Sequence, residues 1–319
     1  MTAVVLLTTC PVSARHVEAI REIAPDLDIR VFKSIDEASQ DLADAEIMIT
    51  YGEDITPDWI AKCPKLKWIQ VISAGLELMP FPEIDARGIL VTNARGIHKG
   101  PMAEYTLGMI LMFSRRFVEL YQNQQKRLWD RTIRIDELSG QTLGIVGAGA
   151  IGSEIAKRAQ AFGMHTLGVA ATRREVDGVD EMFDSSGLDE VLQRSDYVVV
   201  IVPLTDGTRG LIGAREIGLM KESAVLINIA RGLVVDENAL LTALQEKKIR
   251  GAGLDVFVEE PLPEDHPFWG LDNVVVTPHL SSRSPKYMER AQEIFRNNLR
   301  VYKGGAGEMI NVIDTKKGY

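Results

Sequence analysis

The chain has 319 residues, 45% of them hydrophobic and 25% charged, which suits about two globular domains with a sizeable core and excludes collagen-like or wholly disordered readings. Lys and Arg number 36 against 45 Asp and Glu, a formal charge of −9, so nucleic acid and anionic membranes are poor partners. The two cysteines, Cys10 and Cys63, are too few for a disulfide framework and point to a reducing compartment.

Short β-branched runs alternate with amphipathic stretches along most of the chain. The apolar run at 3–7 is too short for a signal-peptide core or a membrane span, and predicts a buried first strand of a cytoplasmic protein. A helical pattern follows at 13–23, then strands at 28–32 and 47–50, a helix at 57–63, and strands at 68–71 and 90–92. Residues 101–125 carry Pro in the first turn and many Met, Leu, Ile and Phe residues, predicting one long, buried helix. Beyond it, strands at 142–146, 165–169, 197–202, 224–229, 253–256 and 274–277 alternate with helices at 152–161, 188–195 and 237–246. A last helix is predicted at 285–302.

Strands that are apolar throughout, alternating with helices, imply parallel sheets covered on both faces. The fold class is therefore α/β, with two doubly wound parallel-sheet domains of Rossmann-like and flavodoxin-like type. The expected division is a discontinuous domain, 1–96 plus 284–319, with a second domain, 97–283, inserted in it.

GAGAIG spans Gly147 to Gly152, after the apolar strand LGIV and before the helical pattern SEIAKRAQAF. That strand–turn–helix setting is what a dinucleotide diphosphate needs. Gly147 permits the tight turn, Gly149 lets the backbone approach the diphosphate, and Gly152 lets helix and strand pack. The diphosphate then rests on unpaired amides at the helix N-terminus. An acidic residue is expected after the second strand in NAD-binding versions. Here HTLGV is followed by AATRRE. Ala170 or Ala171 takes the acidic position, and Thr172, Arg173 and Arg174 follow. A carboxylate repels a 2′-phosphate, whereas guanidiniums and a hydroxyl hold it. NADP(H) is favoured, with NAD(H) possible.

Three polar residues follow predicted strand ends: Arg231 after AVLINIA, Glu260 after GLDVFVE, and His279 after VVVTP. Ligands of doubly wound sheets bind at the carboxyl ends of strands. Reducing a ketone by hydride transfer needs a proton donor at its oxygen, and imidazole titrates near neutral pH. Glu260 is placed to orient the other ring nitrogen of His279, and Arg231 to grip a 2-oxo-carboxylate by two hydrogen bonds.

These motifs resemble the D-isomer-specific 2-hydroxyacid dehydrogenase family over nearly the whole length. The matching stretches are SAG at Ser73–Gly75, NARGIHKGPMAEYTLGMIL from Asn93, GIVGAGAIG from Gly144, VPLTDGTRGLI from Val202, INIARGLVVDENAL from Ile227, GAGLDVFVEEPLP from Gly251 and TPHL from Thr277. The resemblance implies that Arg231 binds the substrate's carboxylate and carbonyl, that Glu260 partners the histidine, and that His279 is the general acid/base. It implies that Asp255 lies near the nicotinamide amide. Ala150, Ile151, Val202, Pro203, Thr208 and Ile229 match cofactor-lining positions. Backbone amides of Ala74 and Gly75 suit a substrate carboxylate. The family also implies a homodimer through the cofactor domain.

Two departures refine this. The usual acidic residue after the second strand is missing. Position 260 is glutamate, unlike the glutamine of the related formate dehydrogenases. The chain thus looks more like the glyoxylate/hydroxypyruvate reductases, acting on a small 2-oxo or 2-hydroxy acid. Tyr51 and Gly52 end a first-domain strand and either line the substrate pocket or, for Gly52, only make a turn. No His/Cys/carboxylate cluster has metal-ligand spacing. The alternatives are NAD-dependent oxidation of a D-2-hydroxy acid, and a dinucleotide-sensing, corepressor-like interaction protein.

Overall fold

The computed structural model describes residues 4–316 apart from 74 and 77. The chain divides into two compact units, Met1–Ile97 with Ser284–Tyr319, and His98–Arg283.

In chain order the first unit contains β1 (Val4–Thr8), α1 (Ala14–Ile23), β2 (Leu27–Val31), β3 (Ala45–Thr50), α2 (Pro57–Lys62), β4 (Trp68–Val71), α3 (Phe81–Ala86) and β5 (Leu90–Thr92). The second contains α4 (Lys99–Ser114), α5 (Phe117–Gln125), β6 (Thr142–Val146), α6 (Ala150–Ala161), β7 (His165–Val169), β8 (Glu181–Phe183), α7 (Leu188–Arg194), β9 (Tyr197–Val200), α8 (Ala214–Leu219), β10 (Val225–Asn228), α9 (Glu237–Gln245), β11 (Gly251–Leu254) and β12 (Val274–Val276). The chain then returns to the first unit as α10 (Tyr287–Tyr302).

The first unit's sheet has the order β2-β1-β3-β4-β5, all parallel. Successive strand residues point to opposite faces, and both faces are buried. Leu6, Ile47, Ile49 and Trp68 join Ile20 of α1 and Phe295 and Leu299 of α10. Leu7, Met48, Ile69 and Val71 join Ile60 of α2 and Ile84 of α3. Trp68 stacks on Phe295 at 5.1 Å, and its indole nitrogen donates to Thr92 Oγ1 at 2.8 Å. Cys10 and Cys63 are free and buried. Burial pushes their thiols up to about 12 and about 11, so neither is a thiolate near neutral pH.

The second unit's sheet has the order β12-β11-β10-β9-β6-β7-β8, again parallel throughout. Val198 and Val200 pack on one face with α7, α8 and α9, while Tyr197 and Val199 pack on the other with α4 and α6. The edge strand β8 has no counterpart among the expected strands. Its acidic start, with Asp180 before Glu181, masks the strand pattern.

The single helix expected over 101–125 is two helices. Arg116 adopts a left-handed backbone, φ 56°, between α4 and α5. Eight residues of α4 are buried and none of α5 is, so the sheet holds only the first helix in line. No helix among the described residues is long and apolar enough to cross a membrane.

Candidate active site

The glycine loop leaves β6 where the strand order reverses, between β9 and β7, the usual crevice of a doubly wound sheet. Gly147 has φ 105°, and a Cβ there would sit 2.8 Å from the Ile201 carbonyl. At Gly152 a Cβ would lie 3.0 Å from the Gly147 oxygen and from Ile145 Cγ2. Gly149 differs: a Cβ would meet only the Gly147 oxygen, at 4.0 Å. That open side leaves room for a ligand to approach the backbone. Gly149 caps α6 without a side-chain hydrogen bond, leaving the first-turn amides, Ala150 and Ile151 among them, without a side-chain acceptor. The loop therefore fits a dinucleotide diphosphate.

Thr172, Arg173 and Arg174 are exposed just beyond β7. Both arginines border a depression of about 1090 Å³ that reaches Phe183 and Glu190. Of the acids around it, Asp177 pairs with Lys157, Glu181 and Glu190 share Arg194, and Asp180 lies 3.2 Å from the His165 ring, while Glu175 also lines the depression. Arg194 first, then His165, hold the Glu181 carboxyl down at about 2. Neither Arg173 nor Arg174 forms an ion pair or hydrogen bond with any described residue. Arg173 and Arg174 are the guanidiniums at this rim that an anion could engage by hydrogen bonds.

His279 stands at the carboxyl end of β12 with a left-handed backbone, φ 52°. Its Nδ1 lies 2.8 Å from Glu260 Oε2. Glu260 Oε1 accepts the Phe257 amide at 3.0 Å, so the carboxylate is fixed from its own loop. A carboxylate only accepts, so Nδ1 carries the hydrogen and Nε2 is left to take up or release a proton. The imidazole is 44% exposed, which a proton donor to a bound ligand needs. The Glu260–Pro261 peptide is cis.

Arg231 follows β10 with an extended backbone and exposed side chain, one guanidinium nitrogen donating to the Ala230 carbonyl at 2.9 Å. Gly232 presses on the loop that carries Glu260. A Cβ there would lie 2.0 Å from the Phe257 carbonyl and 2.4 Å from the Val258 amide nitrogen. Only glycine allows this approach, and it ties the Arg231 segment to the Glu260 segment.

These ordered motifs match a family model, that of the D-isomer specific 2-hydroxyacid dehydrogenase NAD binding domain, over residues 107–281. The chain belongs to this family. It is 38% identical over 279 residues to a glyoxylate reductase of Thermofilum pendens, covering 85% of this chain and 82% of the relative. Glyoxylate/hydroxypyruvate reductase B of Escherichia coli is 38% identical over 256 residues, 78% of this chain and 79% of that one. D-3-phosphoglycerate dehydrogenase of Methanocaldococcus jannaschii is 34% identical over 96% of this chain, which spans only 59% of that relative's length. A family structure from Aeromonas salmonicida superposes with TM-score 0.86 at 32% identity, covering 98% of this chain and 100% of that one. A family structure from Xanthobacter autotrophicus, in complex with NADPH and MES, gives 0.84 at 29% identity and full coverage of both chains. D-lactate dehydrogenase of Aquifex aeolicus, complexed with NAD and lactic acid, gives 0.77 at 32% identity, covering 97% and 98%.

The remaining expected positions of this dehydrogenase fall as follows. Val202 packs its Cγ1 where a Gly147 Cβ would come within 2.9 Å. Ile229 is buried at the end of β10. The Thr208 hydroxyl donates to the Pro203 carbonyl at 2.6 Å and accepts the Thr205 amide at 2.8 Å, so it shapes its own loop. Asp255, expected near the nicotinamide amide, has no exposed surface. Its carboxylate accepts from Thr277 Oγ1 and from the amides of Leu280 and Ser281. These three bonds brace the turn under His279. In the first unit, Ser73 Oγ lies within hydrogen-bond distance of the Tyr51 and Gly75 carbonyls, at 3.1 and 3.0 Å. Gly52 has φ 89°, a turn that glycine favours, and Tyr51 is 40% exposed. Ala74 lies outside the described residues.

Two supports escaped the motif reading. Glu237, at the start of α9, accepts the Val258 amide and faces His266 Nε2, both at 3.3 Å. His266 Nδ1 accepts the Phe268 amide at 3.2 Å, which places the ring hydrogen on Nε2. The pair fastens both ends of the loop bearing Glu260. The second support is Thr277, whose only clue was its place in TPHL.

Proposed function

We propose that this dehydrogenase reduces a small 2-oxo acid, of the glyoxylate or hydroxypyruvate kind, to the D-2-hydroxy acid with NADPH. The observation that carries this is the His279–Glu260 pair, 2.8 Å apart at a strand's carboxyl end, in the same unit as an open glycine loop. The bound dinucleotide supplies the hydride for the carbonyl carbon. Arg231 holds the neighbouring carboxylate and polarises the carbonyl. His279 Nε2 gives its proton to the carbonyl oxygen, and Glu260 stabilises ring orientation and the charged imidazolium throughout. Chiral analysis of the product from a prochiral 2-oxo acid tests the reaction; an L-product or a racemate contradicts it.

NADPH preference rests on Arg173 and Arg174. Hydrogen bonds to charged groups contribute about 1.5–3 kcal/mol each. The double variant Arg173→Ala/Arg174→Ala is therefore expected to weaken NADPH binding by about 100-fold or more and NADH binding by less than about threefold. Equal weakening of both, measured by fluorescence titration, would refute the 2′-phosphate assignment.

We also infer a cytoplasmic homodimer through the second unit. Phe117, Tyr121, Leu128 and Trp129 are 52%, 61%, 54% and 90% exposed along α5 and the segment after it, a run of apolar surface unusual for a monomer. Sedimentation equilibrium is expected to give twice the chain mass. A Tyr121→Glu/Trp129→Glu variant is expected to give one chain mass; a wild-type monomer would overturn the reading.

A further inference from the structure

A hydrogen-bond chain runs beneath His279 that none of the proposed catalytic contacts uses. Tyr105, on α4, places its hydroxyl 2.5 Å from Thr277 Oγ1. Thr277 Oγ1 donates to Asp255 Oδ1 at 2.6 Å. Asp255 Oδ1 also accepts the Leu280 amide, and Oδ2 the Ser281 amide, both at 2.8 Å. The His279 amide donates to the Asp255 carbonyl at 2.9 Å.

The direction of the chain is fixed by its chemistry. Asp255 accepts only, so the single Thr277 hydrogen goes to it, and Tyr105 must donate to Thr277. Burial pushes the Tyr105 hydroxyl well above its ordinary value, so it stays a donor at any physiological pH. The chain thus begins on a helix packed in the core, passes the residue two before His279, and ends on the two amides that follow it.

His279 needs such bracing. A non-glycine residue in the left-handed region costs about 1–2 kcal/mol and persists only where its surroundings over-determine it. Here Thr277 is held before it and Leu280 and Ser281 after it. With both flanks fixed, the imidazole keeps its aim at Glu260.

The geometry points to Tyr105 as a positioning residue for the reaction, acting through Thr277 and Asp255 to hold His279 in its turn. This rests on His279 being the acid/base. Tyr105→Phe keeps the ring in the core and removes only the donor. A misplacement of about 1 Å at a reacting group can cost up to ~100-fold, and one lost anchor of several is expected to lower kcat about tenfold. KM for the oxo acid and the dissociation constant for NADPH should change by less than about twofold.

Thr277→Val is expected to match Tyr105→Phe, and the double variant to be no slower than either alone, because both break one chain. Thr277→Ser, which keeps the hydroxyl, should restore most of the rate. The nitrogen-bound proton resonance of His279, read by NMR at saturating NADPH without turnover, should move in Tyr105→Phe. A wild-type kcat and unmoved resonance in Tyr105→Phe would overturn the proposal, as would additive losses in the double variant. If His279→Ala is itself fully active, the functional reading fails first; if His279→Ala is inactive and Tyr105→Phe normal, only the positioning role fails.

Discussion

Replacing His279 with alanine is expected to lower kcat by about a thousandfold and to leave NADPH affinity within about twofold. General acid–base groups contribute about 10²–10⁴ in rate, and the His279 imidazole is paired to the Glu260 carboxylate at 2.8 Å. The dinucleotide contacts proposed above lie elsewhere, on the glycine loop and beyond β7, so binding should survive. Glu260→Gln tests the partner. It keeps the shape but removes the charge facing the imidazolium, and kcat should fall by about tenfold or more. Stopped-flow measurement of a single NADPH oxidation separates this chemistry from product release. Wild-type rates in His279→Ala would end the acid/base assignment.

Gly232→Ala should be the most disruptive single methyl group in the second unit. Its Cβ would lie 2.0 Å from the Phe257 carbonyl carbon and oxygen. Those are backbone atoms, so no rotamer change relieves the clash. Overpacking commonly costs about 1–3 kcal/mol, more where the backbone itself must move. We expect about 3 kcal/mol or more lost in denaturant unfolding, with activity lost even in the folded fraction. The Phe257 amide that anchors Glu260 sits on the segment that must shift. Gly218→Ala is the control: a Cβ there meets nothing within 4 Å, and helix interiors gain from Gly to Ala. A stable, active Gly232→Ala variant would show that the Arg231 and Glu260 segments are not pressed together.

Much of the fold is legible in the sequence. The central strands of both sheets, such as β3, β9 and β10, are buried along nearly their whole length, and their alternation with helices points to the parallel order. The glycine loop was legible because each glycine answers a different local demand, all within six residues. Glu260 and His279 were legible as motif residues at strand ends.

What was not legible depends on contacts between distant elements. Strand β11 starts at Gly251, two residues before expectation, because GAGL has little β-propensity. Its glycines answer to neighbours distant in sequence: a Cβ at Gly251 would lie 2.5 Å from the Asn273 carbonyl oxygen and 2.8 Å from Phe113 Cε1, and one at Gly253 would lie 3.3 Å from Met109 Sδ. The break at Arg116 reflects where burial stops, which local propensity does not report. The hydrogen bonds of Asp255 come from residues 22–26 positions later, which its own motif does not announce. Tyr105 meets Thr277 across 172 residues, and nothing in either segment alone announces that meeting.

The most direct test is NADPH and NADH consumption, measured in parallel, against glyoxylate, hydroxypyruvate, pyruvate, phenylpyruvate and a branched 2-oxo acid. We expect strong turnover with NADPH on glyoxylate or hydroxypyruvate, weaker turnover with NADH, and almost none for His279→Ala. Dinucleotide binding without turnover on any of these acids would contradict the account.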